Sequence, residues 1–299
     1  MNIVVFGAGA IGSLFGGLLS KNNKVVLVGR KDHIDSINKK GLAIKGKTNL
    51  DANVSAVENV KNIDFTPDII ILSVKSYDTG KAAESIKKIV GKKTIIISLQ
   101  NGLDNIEKIK KHVKKEQIVV CITTHGSVFL ESGYIKHTGV GKTVIGSFQD
   151  KCNNISYIAK LFDKVGIKTT VSHDILKEMW IKAVVNSSIN PLTTIFNCKN
   201  GYLLENPVLK DIVEKICYES TTVANSCGYS LEKGYTLNKT VEVIEDTKEN
   251  FSSMLQSVQN NKKTEIDSIN GIIFKKAREN NIDANLNKLL IHLVKDLKL

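Results

Sequence analysis

Directly after a short apolar run, Ile3-Val4-Val5-Phe6, the chain reads Gly7-Ala8-Gly9-Ala10-Ile11-Gly12. A G-x-G-x-x-G that closes a strand and opens a helix restricts the first fifty residues to a βαβ unit built around a phosphate-binding turn. Gly7 suits the tight turn, Gly9 lets the backbone approach a pyrophosphate, and Gly12 lets helix and strand pack closely. The helix N-terminus then offers amide donors and a partial positive charge to an anion. A glycine turn that binds nothing is the alternative reading of the same six residues.

The first half continues in the same rhythm. Apolar runs at residues 3–6, 24–28, 68–74, 94–99 and 117–123 alternate with helical stretches at 11–20, 79–90 and 103–113. Several runs are apolar on both faces, as strands of a covered parallel sheet must be. This predicts an α/β fold whose N-terminal domain is Rossmann-like and doubly wound. Strands punctuated by Gly126, Gly133, Gly139, Gly141 and Gly146 are expected as antiparallel additions to the sheet edge, followed by a helix at 155–163 and a strand at 167–171. Beyond His173 strand signals fade, and helical periodicity runs through 175–189, 207–227, 264–280 and 286–297. The expected division is therefore a dinucleotide-binding domain over 1–171 and an all-helical domain over 172–299.

Other classes of protein are disfavoured by composition. The longest apolar runs are far too short to span a bilayer, and Met1-Asn2 leads into the first strand without a basic or cleavable leader, so a cytoplasmic protein is expected. Cys121, Cys152, Cys198, Cys217 and Cys227 are odd in number, form no C-x-x-C and bear no ligand-like spacing to histidine, which suggests reduced thiols and no metal site. The net charge of +12 raises the question of nucleic acid, but only Arg30 and Arg278 among the 42 basic residues are arginines. Dispersed lysines favour a solvated surface over a polyanion-binding one, while remaining attractive to small anions. The oligomeric state is left open, a homodimer included.

Where an NAD-binding domain carries an acid, about 20 residues beyond the glycines, this chain has Val28-Gly29-Arg30-Lys31. A guanidinium suits a 2′-phosphate, so Arg30 points to NADPH, with Lys31 as a helper. An exposed turn is the plain alternative, and Asp32 keeps NADH open. Lys75 and Gln100-Asn101-Gly102 follow two further strands on the side where such sheets bind ligands, although Asn-Gly is also simply a good turn. Gly141-Lys142-Thr143 is no P-loop, because Lys136 stands where its first glycine is required; a hairpin is expected there.

In the second half Lys182, Asn186 and Asn190 recur at i, i+4 and i+8 on a predicted helix, opposite the apolar Ile181, Val184, Val185 and Ile189. Pro191 is expected to stop that helix at or before Asn190. A solvated stripe is one reading; against it, asparagine is a poor helix former, and a solvent face favours Glu, Gln or Lys. Ser253 with Gln256, and Thr264 with Asp267, have the spacing of helix-capping signatures.

Taken together, Gly7 to Gly12, Val74-Lys75, Gln100-Asn101-Gly102, Lys182…Asn186…Asn190-Pro191-Leu192-Thr193, Asn200-Gly201 and Ser252-Ser253-Met254-Leu255-Gln256…Thr264-Glu265-Ile266-Asp267 resemble the ketopantoate reductases (2-dehydropantoate 2-reductases) over nearly the whole chain. The resemblance implies NADPH-dependent reduction of 2-dehydropantoate to (R)-pantoate, a step of pantothenate and coenzyme A biosynthesis, by a Rossmann domain joined to a helical one. It implies further that Lys182 is the proton donor. Asn101, Asn186, Asn190, Asn200 and Ser253 become substrate contacts beside Lys182, while Lys75, Asn101 and Glu265 face the cofactor; Glu265 also orients the lysine or the substrate hydroxyl. Which of Thr124, His125 and Gly126 approaches the nicotinamide stays open. The rivals are another NADPH-dependent 2-oxo acid or opine-type dehydrogenase on this scaffold, a dinucleotide sensor without chemistry, and a polyanion-binding protein.

Overall fold

The structure, a computed structural model, describes residues 1–149 and 154–297, so Cys152 lies outside the described residues. It divides into two units, Met1–Gln100 with Asn105–Ile175, and Asn101–Asp104 with Leu176–Leu299. The tetrapeptide Asn101–Asp104 thus groups with the second unit although it follows a strand of the first. Among the described residues no helix is long and apolar enough to cross a membrane, and no cluster of three or more His, Cys, Asp or Glu side chains is arranged to hold a metal.

In the first unit an eight-stranded sheet has the order β12-β11-β8-β7-β6-β1-β2-β5. Its central strands are β1 (Asn2–Phe6), β2 (Lys24–Val28), β6 (Ile69–Leu72), β7 (Ile95–Ser98) and β8 (Ile118–Thr123), all parallel. Every residue of β6 and β7 is buried, which is what a sheet covered on both faces demands of a four-residue strand. Helices α1 (Ala10–Leu19), α2 (Lys31–Lys40), α3 (Thr79–Ile86), α4 (Asn105–Ile109) and α5 (Ile155–Asp163) connect or cover the strands.

Residues 42–57, too short and too polar in alternation to be read as strands from sequence, form β3 (Leu42–Gly46), β4 (Leu50–Ala52) and β5 (Ser55–Val57). The first two belong to a separate sheet of order β4-β3-β10-β9. Its other members are β9 (Gly126–Glu131) and β10 (Tyr134–Gly139), so this hairpin is not an edge addition to the main sheet as expected. The reason is tertiary: β10 finds a parallel partner in β3, about ninety positions earlier in the chain, and the small sheet covers the second face of α1. A side chain at Gly16 would meet Leu27 Cδ2 of the main sheet at 2.5 Å, and one at Gly17 would meet Ile44 Cδ1 of the small sheet at 2.5 Å. Beyond β8 the main sheet is extended by β11 (Thr143–Ser147), antiparallel to β8, and β12 (Thr169–Val171), parallel to β11, while β5 lies parallel to β2 at the opposite edge. The Gly141-Lys142-Thr143 segment therefore passes from one sheet to the other, and the expected hairpin is absent there.

The second unit is helical: α6 (Ile175–Ile195), α7 (Tyr202–Glu205), α8 (Pro207–Ser226), α9 (Lys233–Asp246), α10 (Ser253–Gln259), α11 (Asn270–Glu279) and α12 (Asn285–Asp296). Pro207 occupies the first turn of α8, where its missing N–H costs nothing, and the Asn206 side chain accepts from the N–H groups of Val208 and Leu209. Two expectations are corrected. First, α6 does not stop at Asn190 but runs through Pro191 to Ile195, and the Ser187 carbonyl, deprived of the residue-191 N–H, accepts from Asn270 Nδ2 at 3.1 Å. Second, the cap of α10 is Ser252, whose hydroxyl accepts from the Leu255 N–H, and not Ser253; the turn Ile266–Ser268 is entered from Glu265 without a side-chain cap.

Candidate functional site

The first unit builds a cradle from its opening six glycine-rich residues. Gly7 sits at φ +112°, a conformation natural to glycine, and a Cβ there would meet Val74 N at 2.6 Å. The N–H groups of Gly7 and Ala8 both donate to Val28 O at 2.9 Å, which pins the turn to the end of β2. Ser73 Oγ donates to Gly7 O at 2.9 Å and pins it to the end of β6. At Gly12 a side chain would lie 2.2 Å from Gly7 O and 2.4 Å from Ser73 Oγ, so no larger residue fits the helix–strand contact. At Gly9 a Cβ would meet nothing within 4 Å, and Gly9 caps α1 without a side chain. The space beside Gly9 is therefore open, and a helix N-terminus entered through such a turn offers its amide donors to an anion.

Four strand ends of this unit, those of β2, β6, β7 and β8, carry polar residues. Arg30, exposed, is the N-cap of α2, and exposed Lys31 and Asp32 follow in its first turn. Lys75 is half-buried and precedes the short 3₁₀ turn Ser76–Asp78. Gln100 ties the ends of β6 and β7 together, its Nε2 donating to Val74 O at 2.8 Å and to Thr79 Oγ1 at 2.7 Å. At the end of β8, His125 turns inward; its Nδ1 lies 3.1 Å from His137 Nε2, and its ring meets Phe15 edge-on. Burial and then the neighbouring His137 push the His125 imidazole down to about 4. Of residues 124–126, Thr124 is the exposed one, its hydroxyl accepting from the Lys142 N–H at 2.9 Å.

The second unit gathers most of the remaining candidates. On α6 Lys182 and Asn186 are half-buried and Asn190 is only 6% exposed, so the row is no solvated stripe. The C-terminal part of α6 is tied to the start of α10 by Thr193 Oγ1, which donates to Ser252 Oγ at 2.7 Å. Ser253, the next residue, is exposed at the first position of α10. Asn200 is brought to the same stretch of chain: its N–H donates to Asn250 O at 3.0 Å and its Nδ2 to Thr247 Oγ1 at 2.8 Å. Its Oδ1 is buried and has no hydrogen-bond partner, an acceptor that a ligand donor would satisfy. Glu265 is buried at 7% exposure, and Leu103 N donates to Ser268 O at 3.0 Å, which seats the half-buried Asn101 segment on the turn that Glu265 opens. Sequence reasoning missed two residues here, Ser252 and Asn270. The signal for Asn270 was Pro191, which requires a donor for the Ser187 carbonyl without saying where the donor comes from.

Residues 3–150 match the family described as ketopantoate reductase PanE/ApbA, and residues 174–298 match its C-terminal region. The 2-dehydropantoate 2-reductase of Pyrococcus horikoshii is 40% identical over 99% of this chain and 97% of its own, and that of Archaeoglobus fulgidus is 32% identical over 99% and 97%. Among solved structures, a 2-dehydropantoate 2-reductase from Geobacter metallireducens aligns at a TM-score of 0.92 with 25% identity, covering 100% of both chains. D-mandelate dehydrogenase with NADH and anilino(oxo)acetate aligns equally well, at 0.92 with 27% identity over 99% of this chain and 97% of that one. With a glycine cradle in one unit, a half-buried to buried lysine–asparagine row in the other and relatives matched from end to end, this chain belongs to the ketopantoate reductase family.

Proposed function

We propose that this chain reduces 2-dehydropantoate to (R)-pantoate with NADPH, the first unit binding the dinucleotide and the second carrying substrate and catalytic groups. The observation that carries this reading is the row Lys182, Asn186 and Asn190, half-buried to buried on α6, in a chain that matches 2-dehydropantoate 2-reductases over 99% of its length. A bound nicotinamide supplies the two-electron reduction of the C2 carbonyl. Gly7 to Gly12 hold the pyrophosphate on the amides of α1, and Arg30 with Lys31 receives the 2′-phosphate that distinguishes NADPH. Lys75 and Asn101 face the cofactor beyond the ends of β6 and β7.

As charge gathers on the carbonyl oxygen, the Lys182 ammonium polarises it and then donates a proton. Glu265 orients that ammonium and contacts the cofactor. Asn101, Asn186, Asn190, Asn200 and Ser253 grip the carboxylate and hydroxyl of the substrate through amide and hydroxyl groups, so that no arginine is needed there. The unpartnered Asn200 Oδ1 supports its place in this set, since a substrate hydroxyl would satisfy it.

A second reading is favoured by one observation, the likeness to a D-mandelate dehydrogenase solved with NADH: a related 2-oxo acid would be reduced on the same scaffold. Steady-state oxidation of NADPH and of NADH with 2-dehydropantoate and a panel of aliphatic and aryl 2-oxo acids tests both. Preference for 2-dehydropantoate and NADPH is expected; preference for an aryl 2-oxo acid, or equal use of NADH, replaces the corresponding part of the reading.

A further inference from the structure

We infer that Asn270 is a positioning residue for the substrate row, its side-chain amide standing in for the helix hydrogen bond that Pro191 removes. The inference rests on reading α6 as the helix that presents Lys182, Asn186 and Asn190 to substrate. In a regular helix the Ser187 carbonyl would accept from the N–H of residue 191. Pro191 has none, and its ring crowds that same carbonyl. Ser187 is fully buried, so water is no ready replacement, and an unpaired carbonyl there would be costly. Asn270, the first residue of α11 and itself fully buried, donates its Nδ2 to this carbonyl at 3.1 Å.

The amide has only one workable orientation, and a chain of bonds sets it. Glu219 on α8 accepts from the N–H groups of Leu286 at 3.0 Å and Asn287 at 2.8 Å, capping α12 where Ala284 has no capping side chain. Its Oε1 also accepts from Asn287 Nδ2 at 2.8 Å, and Ser220 Oγ lies 3.0 Å from the same nitrogen. Asn287 must therefore turn its Oδ1 toward Asn270, which meets it with Nδ2 at 2.9 Å. The remaining N–H of Asn270 is left for Ser187, while Asn270 Oδ1, buried, has no hydrogen-bond partner. A carboxylate on one helix thus directs two amides in series into the break of another. Both hydrogen bonds that its side chain makes are thus donated from Nδ2.

The repaired carbonyl lies between Asn186 and Asn190, so losing the repair shifts one against the other. Wild type, Asn270→Ala, Pro191→Ala and the double variant are compared in KM and kcat with 2-dehydropantoate, in NADPH affinity, and in thermal midpoint. Asn270→Ala is expected to raise KM for the 2-oxo acid by about tenfold, with kcat within about twofold and NADPH affinity unchanged. In the Pro191→Ala background, where the helix regains its own N–H, the same substitution is expected to change KM by less than about twofold. An unaltered KM in Asn270→Ala, or an equal change in both backgrounds, overturns the inference. If Asn270→Ala does not fold, recovery of folding by Pro191→Ala supports it and continued failure overturns it. The midpoints of the four proteins need no substrate: were the wild type inactive on 2-dehydropantoate, the function reading would fall, while non-additive midpoints would still uphold the repair and additive ones would refute it.

Discussion

The two units bury polar side chains in different ways. In the first, the backbone of a parallel sheet is satisfied strand to strand, and its buried polar groups include three histidines set around α1 and the small sheet. His33 bonds Ser13 Oγ at 3.1 Å and the Gly133 N–H at 2.9 Å. His137 Nδ1 lies 2.9 Å from Thr48 Oγ1, and its Nε2 is 2.9 Å from Gly139 O, an acceptor only, so that nitrogen carries the proton. In the second unit the buried polar groups, the Glu265 carboxylate apart, are hydroxyls and amides. Ser188, Thr193, Thr194, Thr221 and Thr240 bond back to carbonyls four residues earlier, which lets them sit in the core at little cost. The Glu219, Asn287 and Asn270 series then directs its donors to a helix break. A sheet unit offers a ligand its backbone at strand ends and a helix N-terminus, whereas a helical unit, its backbone closed, offers side chains.

The sharpest test of that contrast is Lys182→Ala. If the chemistry belongs to side chains of the second unit, kcat falls roughly 100-fold or more while NADPH binding is retained. Near-normal turnover would return Lys182 to an ordinary half-buried helix residue. Substituting Arg30→Glu in the first unit is expected to shift the preference between NADPH and NADH by about tenfold or more, leaving the KM of the 2-oxo acid alone. Equal use of both cofactors by the wild type would defeat the Arg30 argument outright. Asn186→Ala is expected to raise that KM about tenfold, the loss of one polar contact of about 1.4 kcal/mol, without touching NADPH affinity. A higher thermal midpoint with an unchanged KM would instead make Asn186 merely a poor helix former.

The smallest effect expected is on stability against pH, and it should come from the first unit. Burial lowers His33, His125 and His137 below their ordinary 6.5, with His125 reaching about 4. A histidine whose folded pKa is depressed binds fewer protons folded than unfolded between those values. Stability is therefore full above about pH 6.5 and declines as pH falls toward 4. Protonating His125 Nδ1 would also bring a second N–H against the protonated His137 Nε2, 3.1 Å away. Denaturant midpoints measured between pH 4 and pH 7 should fall on acidification, and His125→Gln should flatten that fall. An identical slope in the variant would remove His125 from the account.

Residues read in isolation already determined a good deal. Apolar strands such as Ile69-Ile70-Ile71-Leu72 and Ile95-Ile96-Ile97 admit burial on both faces and hence a parallel sheet, and the glycines at 7 and 12 meet the steric demand that their spacing implies, while Gly9 borders open space. The i, i+4, i+8 row on α6 was legible for the same reason, since helical period is a local property. Partnership between distant segments was not. That β10 joins β3 and not the main sheet, that the tetrapeptide Asn101–Asp104 groups with the helices, and that Asn270 donates to the carbonyl that Pro191 leaves without its N–H are decided by bonds across long stretches of sequence. A proline announces that a carbonyl will lack its donor. Only the packing of α11 against α6 supplies one, because a side-chain amide reaches a carbonyl about eighty residues earlier through space and leaves no period in the chain.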